Sequence, residues 1–113
     1  MNEIIIRRGD SYAIPFGAIL NNQALPKHLI RNVEITIGEL VKTFNDGIYY
    51  KDYALYFPLT EEDTYGFIAS STMKSQVRLQ LNPNGDIISL DGPTFKVIES
   101  LSSGRISNKI RIK

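Results

Sequence analysis

Between residues 76 and 97 the chain reads QVRLQLNPNGDIISLDGPTFKV, and polar positions alternate with apolar ones. Gln76, Arg78 and Gln80 interleave with Val77, Leu79 and Leu81. A period of two sends every apolar side chain to one face of a strand and every polar one to the other. The turn-rich run Asn82-Pro83-Asn84-Gly85-Asp86 follows, and then a second apolar stretch. This predicts a hairpin in which Gly85 takes positive φ and Pro83 presets a turn position. Val77, Leu79, Leu81 and Phe95 are expected in the core, and Arg78, Gln80 and Lys96 on the outer face. Such a pair has one wet face and one that a second sheet must cover.

The rest of the chain supplies strands for that sheet. Residues 3–7 form a β-rich run that stops at Gly9-Asp10. In SYAIPFGAIL, Tyr12, Ile14, Phe16, Ala18 and Leu20 share a face, and Pro15 on the other restricts this strand to an edge or a bulge. Asn21-Asn22-Gln23 is a turn, and residues 24–31 form a crossing connection over one end of the core. Val33, Ile35 and Ile37 alternate with Glu34 and Thr36 up to Gly38, and residues 40–44 continue or pair with that strand. Asn45-Asp46-Gly47 is expected to be a type I′ hairpin turn. Leu55, Phe57 and Leu59 mark another strand, and Thr60 can cap a short helical turn opened by Glu61, Glu62 and Asp63. Residues 70–75 are a polar connection.

Seven or eight short strands with regular turns predict an all-β fold. Specifically, the expected architecture is an immunoglobulin-like antiparallel β-sandwich with one short helical turn near 61–67. Residues 1–99 would form the sandwich and residues 100–113 a basic tail or linker. The 113 residues suffice for one core without staples. Charge is nearly balanced at +1, so no global field directs the chain to nucleic acid or an anionic membrane. The absence of cysteine excludes disulfides and thiolate metal sites. No apolar run reaches the length of a membrane span, and MNEIIIRRGD lacks the pattern of a signal peptide.

Three pieces in order carry a resemblance. They are Arg8-Gly9-Asp10-Ser11 before an alternating strand, Leu59-Thr60-Glu61-Glu62-Asp63-Thr64, and QVRLQLNPNGDI with the following TFKVIESL. Over residues 3–100 the chain resembles the N-terminal domain of phage baseplate upper proteins and related small tail-region proteins of phages and prophages of Gram-positive hosts. The resemblance implies a β-sandwich that attaches receptor-binding or fibre modules to the tail tip, in many copies and without catalytic residues. It also implies synthesis in the host bacterial cytoplasm, residence in the virion tail, and partnership with other tail or baseplate proteins. The Tyr-rich segment from Tyr49 to Tyr56 has no match in that pattern.

Little else suggests chemistry. Arg8-Gly9-Asp10 spells an adhesion tripeptide, but Gly beside Asp between two strands is what a turn requires. His28 is the one histidine and has no motif partners for catalysis or metal binding, so a solvated or capping role is expected. Glu61, Glu62 and Asp63 fit the positive end of a helix dipole better than a catalytic pair. No catalytic, metal or cofactor site is therefore assigned, and the protein is read as not an enzyme. Tyr49, Tyr50 and Tyr56 are candidate interface residues, with sugar stacking as the alternative, while Tyr53 is expected in the core. Residues 109–113, KIRIK, alternate basic and apolar. Ile110 and Ile112 could bury if this arm adds to the sheet edge of another copy, which makes a homo-oligomer the expected state. Without interleaved aromatics the tail is a weak nucleic-acid signal.

Overall fold

The alternation along the chain sorts residues into faces, and long-range pairing then sorts strands into sheets. The computed structural model describes residues 3–99; the expected tail, with Ile110 and Ile112, lies outside them. In chain order the strands are β1 (Glu3–Arg7), β2 (Tyr12–Gly17), β3 (Ile19–Leu20), β4 (Gln23–Ala24), β5 (Ile30–Ile37) and β6 (Leu40–Thr43). Then come β7 (Tyr49–Lys51), β8 (Ala54–Leu59), helix α1 (Glu61–Tyr65), β9 (Thr72–Met73), β10 (Ser75–Leu81), β11 (Ile87–Asp91) and β12 (Thr94–Ile98). The all-β class holds. The twelve strands exceed the expected seven or eight because β3, β4, β7 and β9, of two or three residues each, are too short to show a period.

Three larger sheets enclose one core, and β3-β4 form a separate two-stranded sheet. An antiparallel sheet runs β11-β10-β5-β6, a second runs β2-β8-β7, and a third runs β1-β12-β9. Ile35 and Ile37 from β5, Val77 and Leu79 from β10, Phe16 from β2, Leu55 and Phe57 from β8, Ile6 from β1 and Phe95 from β12 are all buried in it. Arg78 and Lys96 are exposed, as the alternation requires. Leu81 is only half-buried, and so is Gln80. A register shift between them breaks the period at the strand end, where Leu81 comes opposite Ile30. Strand β2 is an edge strand, which accommodates Pro15.

Two connections depart from the local reading. Strands β1 and β12 pair in parallel, from Glu3 opposite Thr94 to Arg7 opposite Ile98. Antiparallel order is imposed by tight hairpins, and no hairpin joins two strands at opposite ends of the described chain. Asn45-Asp46-Gly47 is likewise not a hairpin turn, since β6 and β7 belong to different sheets. Phe44–Asp46 form a 3₁₀ turn instead. The Thr43 hydroxyl accepts from the Asn45 N–H, the Asp46 carboxylate accepts from the Thr43 N–H, and Gly47 closes the turn at φ +101°. That reciprocal cap redirects the chain across the core. Within 70–75, Thr72–Met73 form β9 against β12, and Ser75 is buried with its hydroxyl donating to the Pro93 carbonyl.

Helix α1 begins as its sequence predicts. The Thr60 hydroxyl accepts from the Asp63 N–H at 3.0 Å, and the Asp63 carboxylate accepts from the Thr60 N–H at 3.0 Å. The same carboxylate takes the Lys42 ammonium at 2.6 Å, and Lys42 also donates to the Pro58 carbonyl at 2.6 Å. One residue thereby ties edge strand β6 to both α1 and β8. Burial works to raise the Asp63 pKa, but the hydrogen bonds from Lys42 and Thr60 and the Lys42 charge outweigh it and hold the carboxyl below its ordinary value.

A group with a depressed folded pKa stabilises fully above its unfolded value and loses that contribution as pH falls through the folded one. Asp63→Ala is therefore expected to cost about 1–2 kcal/mol at pH 7 through the lost cap and ion pair. The gap between wild type and variant should begin to narrow near about pH 4, where an unfolded Asp protonates, and close only as pH falls through the lower folded value. Urea titrations from pH 7 to pH 2 measure it; a gap independent of pH would mean the carboxylate does not stabilise α1.

Candidate interface

The tyrosines gather on the β7–β8 hairpin. Lys51 pairs with Ala54, which leaves Asp52 and Tyr53 as a two-residue turn. Both take positive φ, +51° and +63°, the left-handed pair of a type I′ turn. Asp52 suits such a turn, but without Gly after it the pair is not the Asn-Gly or Asp-Gly signal of a hairpin. The turn throws Tyr53 outward, where it is 57% exposed, so the expected core role for Tyr53 is corrected.

The remaining three divide between the two faces of the hairpin. Tyr49 lies opposite Tyr56, and their rings stack at 5.1 Å with planes 7° apart. Tyr49 is exposed and Tyr56 half-buried, so the pair presents an aromatic patch on the outer face. Tyr50 lies opposite Leu55, which is buried. The Tyr50 hydroxyl donates to the Leu25 carbonyl at 2.6 Å, and its ring meets Tyr53 edge-on at 6.4 Å. Burial first, then Tyr53 and Asp52 nearby, raise the Tyr50 pKa, so the hydroxyl stays protonated and donating. Tyr50 thus anchors the hairpin to the β4–β5 connection, while Tyr49 and Tyr56 face outward.

Beside them runs an open groove of about 810 Å³ bordered by Lys27, His28, Phe44, Tyr49, Tyr50 and Asn82. His28 lies in a single 3₁₀ turn, Lys27–Leu29, and is exposed; its carbonyl accepts from Asn82 Nδ2 at 3.0 Å. Arg31 is drawn off toward the β10–β11 loop, donating to Asn82 Oδ1 and the Pro83 carbonyl, each at 2.9 Å. The groove therefore offers aromatic edges, one imidazole and one ammonium. This arrangement can hold a flat or anionic group by contact, but it brings no nucleophile and base together.

A second cluster joins the first two segments singled out by sequence to Glu99 at the end of the third. Gly9, at φ +88°, turns the chain and donates its N–H to Thr64 Oγ1 at 3.0 Å; Thr64 donates to the Asp10 carbonyl at 2.6 Å. Arg8 pairs with the Glu99 carboxylate at 3.0 Å and donates to the Tyr65 carbonyl at 2.9 Å. The Arg-Gly-Asp triplet is thus bonded into a turn against α1. Its position beside Thr64 depends on pairing across more than fifty residues, which no local pattern reveals. Among the described residues no group of three or more His, Cys, Asp or Glu is placed to hold a metal ion. No protein-family model matches the chain, and neither the curated proteins nor the solved structures give a match.

Proposed function

We propose that this protein is a non-enzymatic structural component of a bacteriophage or prophage virion. In this reading it is a tail or baseplate adaptor whose body is an immunoglobulin-like sandwich. It works by attaching receptor-binding or fibre modules, with other tail proteins and copies of itself as partners. The observation that carries the reading is the meeting of the three resembling segments in space. The Arg8-Gly9-Asp10 turn, the Thr60–Thr64 segment and the Glu99 end of β12 bond to one another through Arg8 and Thr64. Parts of the ordered motifs are bonded together at one corner, which suits an assembly part whose identity lies in its framework. The stacked Tyr49–Tyr56 pair supplies an outer contact patch, since tyrosines are enriched at protein interfaces.

Quantitative mass spectrometry of gradient-purified particles, from a strain carrying the gene, tests this directly. The protein is expected in the particles at a stoichiometry matching other tail proteins. Finding it only among soluble proteins, with particles complete and infectious without it, would refute the reading.

A carbohydrate-binding module is the second reading, favoured by the exposed Tyr49 ring beside the groove containing His28. Against it, Tyr49 and Tyr56 already stack on each other, which occupies one ring face of each. Titration with cell-wall polysaccharide and simple glycans is expected to show no saturable binding. Millimolar or tighter binding that disappears in Tyr49→Ala would reverse the order of the two readings.

A further inference from the structure

Charge is divided unevenly along this chain. Residues 1–99 carry nine Lys and Arg against twelve Asp and Glu, a net charge of −3, whereas residues 100–113 carry four basic residues and no acid. The near-neutral whole conceals an acidic body and a basic C-terminal segment. Such a segment is attracted to any acidic surface within a Debye length.

The body has a groove of matching character between the β5–β6 turn and the end of α1. It measures about 560 Å³. Leu40, Phe67, Ile68 and Met73 give it an apolar lining, and Glu39 and Glu62 stand at its margins. Ile68 is 76% exposed, the most exposed of the large apolar side chains among the described residues. Neither Glu39 nor Glu62 has an ion-pair partner among the described residues, whereas Asp63 nearby is held by Lys42. Strand β6 is also the last strand of its sheet. An apolar trough flanked by unpaired acids fits a short extended peptide that alternates apolar and basic residues.

Residues 109–113, KIRIK, are such a peptide. The described chain ends close to the groove. Glu99 is bonded to Arg8, and Arg8 to the Tyr65 carbonyl, one residue before Gly66 at the groove margin. Val97 exchanges backbone hydrogen bonds with Ser70 and Ser71, and Ser71 also borders the groove. Ten residues from Glu99 to Lys109 span at most about 36 Å when extended. Over that tether the local concentration of the segment is on the order of millimolar, well above that of a neighbouring copy in dilute solution.

We infer that residues 109–113 dock in cis into this groove, with Ile110 and Ile112 over Leu40, Phe67, Ile68 and Met73 and the basic side chains toward Glu39 and Glu62. The groove is thus the docking surface of residues 109–113. Sequence alone pointed the arm at a neighbouring copy; the position of Glu99 favours its own groove. This inference stands independently of the virion reading, because it concerns one isolated chain.

The chain contains no cysteine, so introduced pairs report proximity without interference. Ile5 provides the control: it is 56% exposed on β1 opposite Lys96 of β12, also near the chain's exit but outside the groove. In the full chain, Ile68→Cys with Ile110→Cys is expected to form an intramolecular disulfide about 10-fold faster than Ile5→Cys with Ile110→Cys. The preference should shrink in high salt or when Glu39→Lys and Glu62→Lys are added. Equal rates for the two pairs, or disulfide dimers as the main product, would overturn cis docking. A second measurement avoids cysteines. Amide exchange at Leu40 and Ile68 in the intact chain should quicken when Ile110→Asp and Ile112→Asp are introduced, and unchanged exchange would equally overturn it.

Discussion

Replacing Phe57 with Ala is expected to cost about 3–5 kcal/mol, the range for removing a fully buried aromatic ring. Phe57 is 0% exposed at the centre of β8, where β2 pairs on one side and β7 on the other. Its ring lies 6.4 Å from Phe16, and Phe16 lies 6.3 Å from Phe95. These three rings connect the β2-β8-β7 sheet to the β1-β12-β9 sheet, so the truncation leaves a void where two sheets share their packing. The Lys42 ammonium also sits 5.3 Å above the Phe57 ring, and its bond to Asp63 would lose that support. Folded domains are stable by only about 5–15 kcal/mol, so the variant should unfold at markedly lower urea concentration. Tyr56→Ala, one residue away on the outer face, is the control. It removes the stack with Tyr49 and should cost about 1 kcal/mol. Similar losses at the two positions would show that β8 does not face inward as described.

That contrast between neighbours was legible in the sequence. The alternation through Leu55, Phe57 and Leu59 assigns the inner face without reference to any partner, and the same holds for β2, β5 and most of β10. The cap of α1 was legible too, because Thr60 and Asp63 act over three residues. What a period of two cannot supply is the identity of the neighbouring strand. The parallel pairing of β1 with β12 and the passage from β6 to β7 are decided by packing across the whole chain. The second had a readable sign, since Thr43 and Asp46 have the spacing of a capping box. The competing Asp-Gly turn signal obscured it.

Legibility of the candidate surfaces follows the same division. Four tyrosines within eight residues mark the β7–β8 hairpin as unusual, but only the register shows Tyr49 and Tyr56 outside and Tyr50 inside. The position of Tyr53 was misread because residues at positive φ are ordinarily Gly, Asn or Asp. A bulky aromatic there gives no warning. The groove below Ile68 was not legible at all. Its apolar residues come from β6, the segment after α1 and β9, and each looks unremarkable in its own local stretch. Its acids are distributed between a turn and a helix in the same way. Only the basic segment that complements it could be read directly.

Thr64 carries the last expected effect, and it isolates hydrogen bonding from packing. The side chain is 0% exposed. Its hydroxyl accepts the Gly9 N–H at 3.0 Å and donates to the Asp10 carbonyl at 2.6 Å, with the Glu61 carbonyl at 3.1 Å as the alternative acceptor. Thr64→Val keeps the shape and removes both functions, which leaves a donor and an acceptor in the turn without their partner. Gly9 is half-buried and Asp10 exposed, so the stranded groups partly regain water and the loss of the two bonds is expected to cost about 1–3 kcal/mol. Thr64→Ser keeps the hydroxyl and loses one methyl, for which about 1 kcal/mol is expected. Urea unfolding of the two variants gives the comparison. The Gly9 amide should also exchange much faster with solvent in Thr64→Val than in Thr64→Ser, because only the former frees the Arg8-Gly9-Asp10 turn from α1. If the serine variant loses as much stability as the valine variant, the methyl group and not the hydroxyl fixes this corner. The turn would then be held mainly by the contacts of Arg8 with Glu99 and the Tyr65 carbonyl.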